Sequence, residues 1–192
     1  MGRPRKFDET RALTAVMHTF WQRGYEATST RDLAESTGMG LSSLSNAFGD
    51  KRQLYLRALR RYYETNTAVQ TDLLRRPGPV KDRVRALMTQ AIDIDLANPP
   101  SSGCLIMNAS MERASTDPEV AQEVRRHFTT VEQAVRSALA EGQDSGEITR
   151  DQDAGTLAHH VLSTYYGLRV LARVQPDRTA LTNVVETLLA KL

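Results

Sequence analysis

With one cysteine, Cys104, in 192 residues, the chain can close no internal disulfide and has no paired-cysteine zinc spacing. A reducing, cytoplasmic setting is expected. No stretch approaches the roughly 18 apolar residues of a membrane span. The basic start, MGRPRKFDET, leads into no uninterrupted apolar run of the kind a signal peptide carries. These absences point to a soluble, unexported protein with no membrane partner. Sustained period-two alternation is missing too, as are internal repeats and low-complexity tracts, which excludes strand-built folds and solenoids. There is no HExxH and no Cys/His cluster, so no cofactor and no metal are expected.

Charge of one sign is also scarce, the formal net being +2, but its distribution is uneven. Residues 1–60 hold ten Lys/Arg and six Asp/Glu, leaving fifteen and seventeen for residues 61–192. Three of the early cations, Arg3, Arg5 and Lys6, precede the first periodic segment, and Pro4 discourages helix among them. They form a basic arm, either a solubilising terminus or a nucleic-acid contact.

What fills the chain is helical periodicity. Leu13, Val16, Met17, Phe20 and Trp21 recur at helical spacing between Asp8 and Arg23, and Gly24 marks the stop. TSTRDLAESTG follows, with Ser29 and Asp32 as a capping box and Gly38 ending the segment after barely two turns. So short a helix persists only by packing. LSSLSNAF supplies the partner through Leu44 and Phe48, four apart. Asp50 caps a longer helix running toward Leu74, before RRPGP breaks it. Further helices are expected over Val80–Ile94, residues 103–114, Val120–Leu139 with a stop near Gly142, Asp151–Val174 and Thr179–Lys191. The fold class is all-α: a three-helix N-terminal domain over residues 6–66, with its motif at 29–48, joined to a larger helical domain over 67–192.

A capped helix, a glycine turn and a second helix, buttressed on both sides, is the layout of a helix-turn-helix. A helix entering a major groove roughly 12 Å wide needs short polar side chains outward, so that its backbone can approach bases and phosphates. Ser42, Ser43, Ser45 and Asn46 meet that need. Residues 24–59, GYEATSTRDLAESTGMGLSSLSNAFGDKRQLYLRAL, resemble the DNA-binding domain of the TetR family of bacterial transcriptional repressors, with Gly24, Tyr25, Thr28, Ser29, Asp32, Leu33, Ala34, Gly38, Phe48, Lys51 and Leu54 at the family's positions. The resemblance implies phosphate contacts from Thr28, Ser29, Thr30 and Arg31 and from Lys51, with Gly40, Leu41 and the serine row facing the groove. Two positions depart from the family pattern: Leu41 stands where Arg or Lys is common, and Ser45 where Tyr is common. The resemblance further implies a homodimer on a near-palindromic double-stranded operator, the last two helices forming the dimer interface, and release by a small-molecule inducer. It leaves open an activator in place of a repressor.

In the larger domain, Cys104, Met107, Asn108 and Met111 fall at i, i+3, i+4 and i+7 and are read as one helix face. That face is ordinary core, the wall of a pocket for a hydrophobic or electrophilic inducer, or a thiolate–thioether site for a soft metal. Tyr63, Met88, Phe128, Tyr165 and Tyr166 are candidates for the remaining pocket wall, with ordinary core as the alternative for the aromatic residues. Asp93 and Asp95 are read as a solvated face, with hydrogen bonding to a polar or cationic ligand as the alternative. His159 and His160 point to different helix faces and form no metal motif, so a polar or pocket-lining role is expected of them. Two rival functions remain: an enzyme with Cys104 as nucleophile and a histidine base, which has no supporting motif, and a ligand-binding module without specific DNA contact.

Overall fold

Helix is the only regular structure among the described residues of the computed structural model, which describes residues 6–97 and 102–192. The helices are α1 (Lys6–Arg23), α2 (Thr30–Thr37), α3 (Leu41–Phe48), α4 (Lys51–Tyr62), α5 (Ala68–Arg75), α6 (Val80–Ala97), α7 (Leu105–Glu112), α8 (Pro118–Ser145), α9 (Ala154–Val174) and α10 (Arg178–Leu189). A π-helical segment, Tyr63–Thr67, joins α4 to α5, so the helix that Asp50 caps does run to about Leu74 but with a widened turn inside it. Periodicity gave no warning of that turn.

Contact density divides the chain into two compact units. The first holds the residues through Thr65 together with Cys104–Arg126; the second holds Asn66–Gly103 and His127–Leu192. The sequence places residues 104–126 with the second half of the chain, whereas contacts group them with the N-terminal helices. In the first unit α1 packs on α2 and α4, and α7 packs on α1 and α4. Its core is Val16, Phe20, Leu33, Leu44, Leu54 and Leu59, extended by edge-to-face contacts of Phe20 with Tyr55 and Trp21 with Tyr62. Arg52 joins the unit's parts through a bidentate pair with Asp117, at 2.6 and 2.8 Å.

The second unit packs α5, α9 and α10 on α6. Side chains close its helix ends: the Glu147 carboxylate accepts from the N–H groups of Val80 and Lys81 at 2.7 and 2.8 Å, and Asp153 and Asp177 cap α9 and α10. Gly142 does not stop α8, which continues to Ser145. It is glycine because a Cβ there would run into the Ile148 side chain. The stop falls instead at Gly146, with φ +81°.

Candidate nucleic-acid interface

The capping box of α2 forms as its sequence requires. Ser29 Oγ accepts from the Asp32 N–H at 3.1 Å, and Asp32 Oδ2 accepts from the Ser29 N–H at 2.8 Å. Asp32 also accepts from the Ser29 hydroxyl and pairs with Arg23, and these donors, Ser29 first, hold its carboxyl below the usual carboxylate range. Gly38 closes the helix in the left-handed region, φ +68°, its N–H shared between the carbonyls of Ala34 and Glu35. The chain therefore turns within two residues and enters α3 from Gly40, its N-cap.

On α3, Leu44 and Phe48 are 2% and 4% exposed and anchor the helix in the core, while Leu41, Ser42, Ser43, Ser45 and Asn46 are all exposed. Burying each anchor stabilises this arrangement by ~1.5–3 kcal/mol. No side chain caps α3 at Gly40, so the first N–H groups of the helix remain available to an anion. Eight residues give a rod about 12 Å long. A short, stiff helix with small polar side chains outward and open N–H groups at its start can enter a major groove and grip a phosphate.

The expected contacts do not all belong to this surface. Ser29, Thr30 and Arg31 are exposed at the start of α2 and stand where expected. Thr28 is a correction: it is 1% exposed, and its hydroxyl donates to the Gly24 carbonyl at 2.6 Å, locking the α1–α2 turn instead of facing a phosphate. Lys51 sits half-buried at the start of α4, its Nζ 4.4 Å from the centre of the Tyr25 ring. Lys6 begins α1, and Arg3 and Arg5 lie outside the described residues.

The expected ligand-face residues are also redistributed. Cys104 is buried and precedes α7 as its N-cap, with Sγ 3.4 Å from the Tyr62 hydroxyl. The buried face of α7 is Leu105, Ile106 and Ala109; Met107 and Asn108 are half-buried, and Met111 is 76% exposed, so the four spaced residues do not form one interior face. Among the described residues no cluster of three or more His, Cys, Asp or Glu could hold a metal. Tyr63, half-buried, stacks under the Arg126 guanidinium in the first unit, whereas Met88, Tyr165 and Tyr166 are buried in the second and Phe128 is half-buried there.

A buried polar set in the second unit escaped the sequence reading. His127 is fully buried, with Nδ1 2.7 Å from Thr67 Oγ1 and Nε2 3.2 Å from the Tyr166 hydroxyl. Burial, reinforced by the Arg169 charge, pushes its pKa down to about 4, so the imidazole is neutral near pH 7. Asp95 is no solvated face: it is buried and takes a bidentate pair from Arg169 at 2.9 and 2.8 Å, while Asp93 is exposed and pairs with Arg178. His159 and His160 are exposed. At the other end of α9, Val170, Leu171 and Val174 are exposed, and with Val184 of α10 they make an apolar strip beside a groove of about 460 Å³.

The geometry of α2, its turn and α3 is that of a helix-turn-helix DNA-binding protein. Residues 12–58 match the family described as bacterial regulatory proteins, tetR family, and residues 80–188 match the tetracyclin repressor-like C-terminal domain. The chain belongs to the TetR family of bacterial transcriptional regulators. It is 31% identical, over the whole of both chains, to the uncharacterized HTH-type transcriptional regulator YezE of Bacillus subtilis. To the HTH-type transcriptional repressor ComR of Escherichia coli it is 27% identical, over 98% of this chain and 90% of that one. A cysteine variant of the TetR family regulator CifR, solved with 26 bp double-strand operator DNA, superposes with a TM-score of 0.83 at 28% identity, over 98% of each chain. No described helix is long and apolar enough to cross a membrane.

Proposed function

We propose that the protein is a homodimeric transcriptional repressor that binds a near-palindromic operator through α3 and is released by a small-molecule inducer held in its C-terminal half. The observation that carries this reading is the outward row of Leu41, Ser42, Ser45 and Asn46 over the buried anchors Leu44 and Phe48. Ser29, Thr30, Arg31 and Lys51 position the helix on phosphates, and Leu41 offers an apolar contact to a thymine methyl. Residues 6–66 carry the DNA-binding role and 67–192 the regulatory and dimerising one. The exposed strip on α9 and α10 supplies the dimer contact, and the two-fold it generates matches a palindromic site. The protein works in the cytoplasm as a regulator and not as an enzyme; Cys104 has the Tyr62 phenol beside it and no histidine base among its described partners.

Release follows if the inducer prefers the conformation in which the paired α3 helices no longer fit one duplex. The test is a gel shift on DNA upstream of the protein's own reading frame at rising salt. Specific binding that weakens steeply with salt supports the reading. Absence of any specific site, with ligand binding intact, would favour the rival ligand-binding module.

A further inference from the structure

Within the second unit, Thr67 and Gln70 lie one turn apart, Thr67 closing the π-helical segment as the N-cap of α5 and Gln70 in the first turn of α5. They face α8 and α9. Thr67 bonds His127, His127 bonds Tyr166, and Gln70 Nε2 donates to the Tyr165 hydroxyl at 3.0 Å. Tyr165 and Tyr166 meet edge to face at 5.1 Å, and Phe128 meets Tyr166 in the same way at 4.8 Å. Gln70 is 5% exposed, yet its Oε1 has no hydrogen-bond partner. An unsatisfied buried carbonyl is destabilising, and an apolar side chain of the same size would avoid that loss. Widened helical turns also recur at functional sites.

We propose that this aromatic-walled interior around Gln70 is the effector site, and that it takes a neutral aromatic molecule bearing a hydroxyl, which bonds the free half of the Gln70 amide. Neutrality follows from the charges on the walls. Arg169 is spent on Asp95 and on the Gly103 carbonyl, at 2.9 Å, so neither charge of the pair is open to a ligand. His127 carries no charge near pH 7. With the Asp95–Arg169 pair closed on itself and His127 uncharged, a charged ligand would be desolvated without a counter-charge. A hydroxyl both donates and accepts, so it satisfies Gln70 whichever way its amide is turned. Phe128 is half-buried while Tyr165, Tyr166 and His127 are buried, so the aromatic wall reaches solvent at Phe128. The proposal rests on the reading of the C-terminal half as the inducer-binding part.

The test is calorimetric titration of the full chain with phenol, anisole, benzoate and benzylammonium, followed by the operator gel shift with each. Phenol should bind and raise the melting temperature, while benzoate and benzylammonium should not bind. Anisole, which lacks the donor, should bind about tenfold more weakly than phenol. Gln70→Leu should weaken phenol binding by about tenfold. Equal binding of phenol and anisole, preference for benzoate, or no phenol binding at millimolar concentration would overturn the proposal; the first three comparisons use the wild-type chain and need no variant. If phenol binds selectively but the operator complex persists, the site stands and the inducer reading falls. If no operator is bound at all, the repressor reading fails while the titration still reports on the site.

Discussion

Two sets of small polar side chains occupy opposite situations in this protein. On α3, Ser42, Ser45 and Asn46 face outward, need no protein partner, and owe their placement to Leu44 and Phe48 beneath them. In the second unit, Thr67, His127 and the Asp95–Arg169 pair lie inside, where each is satisfied by another residue. The outward set costs almost nothing in stability and is available for DNA. The inward set is expensive, because desolvation offsets much of what its hydrogen bonds and ion pair contribute. Changing the first set should therefore alter binding without alteration of the fold, and changing the second should alter the fold itself.

The largest expected effect is at Asp95. Asp95→Ala leaves Arg169 buried without its counter-charge and should cost ~3–5 kcal/mol in denaturant unfolding. A loss under ~1 kcal/mol would show that the pair is hydrated and that the contrast between the two sets is false. Next is acidification. The folded pKa of His127 lies at about 4, below its ordinary 6.5, so between those values the unfolded chain takes up a proton that the folded chain refuses. Stability is full above about pH 6.5 and should fall by up to ~3 kcal/mol as the pH drops to about 4, before the carboxylates contribute. His127→Gln should flatten that slope in urea titrations across the same window; an unchanged slope would place the pH dependence elsewhere.

Smaller effects belong to the DNA-binding unit. Ser29→Ala removes the N-cap of α2 and one donor to Asp32, at a cost of ~1 kcal/mol, read as a shift in the denaturation midpoint. Ser42→Glu should change stability by less than ~0.5 kcal/mol, since the side chain is exposed. Its effect lies wholly in binding, where a carboxylate would face phosphates.

The sequence disclosed the helix-turn-helix because every signal in it is local. Ser29, Asp32, Gly38, Leu44 and Phe48 lie within twenty residues of one another, and capping and i,i+4 packing act over that range. The family resemblance added roles to those positions. Thr28 was misplaced because its hydroxyl is taken up by Gly24, a choice made by the turn's geometry and invisible in residue type. Gly142 looked like a helix stop, yet the reason for glycine is Ile148 pressed against it. Met111 kept helical spacing with Cys104 but faces solvent, since α7 begins only after Cys104 and buries Leu105, Ile106 and Ala109 instead. Asp95 and Arg169 are 74 residues apart, Thr67 and His127 are 60 apart, and no local pattern marks either pair. The outward-facing surface was legible here; paired interior polarity was not, because the pairing exists only after the helices meet.

The central claim is that α3 reads DNA with its outward row, and one titration addresses it. Wild type and Ser42→Glu, matched for dimer content by sedimentation, are titrated into fluorescent upstream DNA and followed by anisotropy. The account predicts specific binding by the wild type and none by the variant at the same salt. Retained operator affinity in Ser42→Glu would mean that α3 is not the helix in the groove.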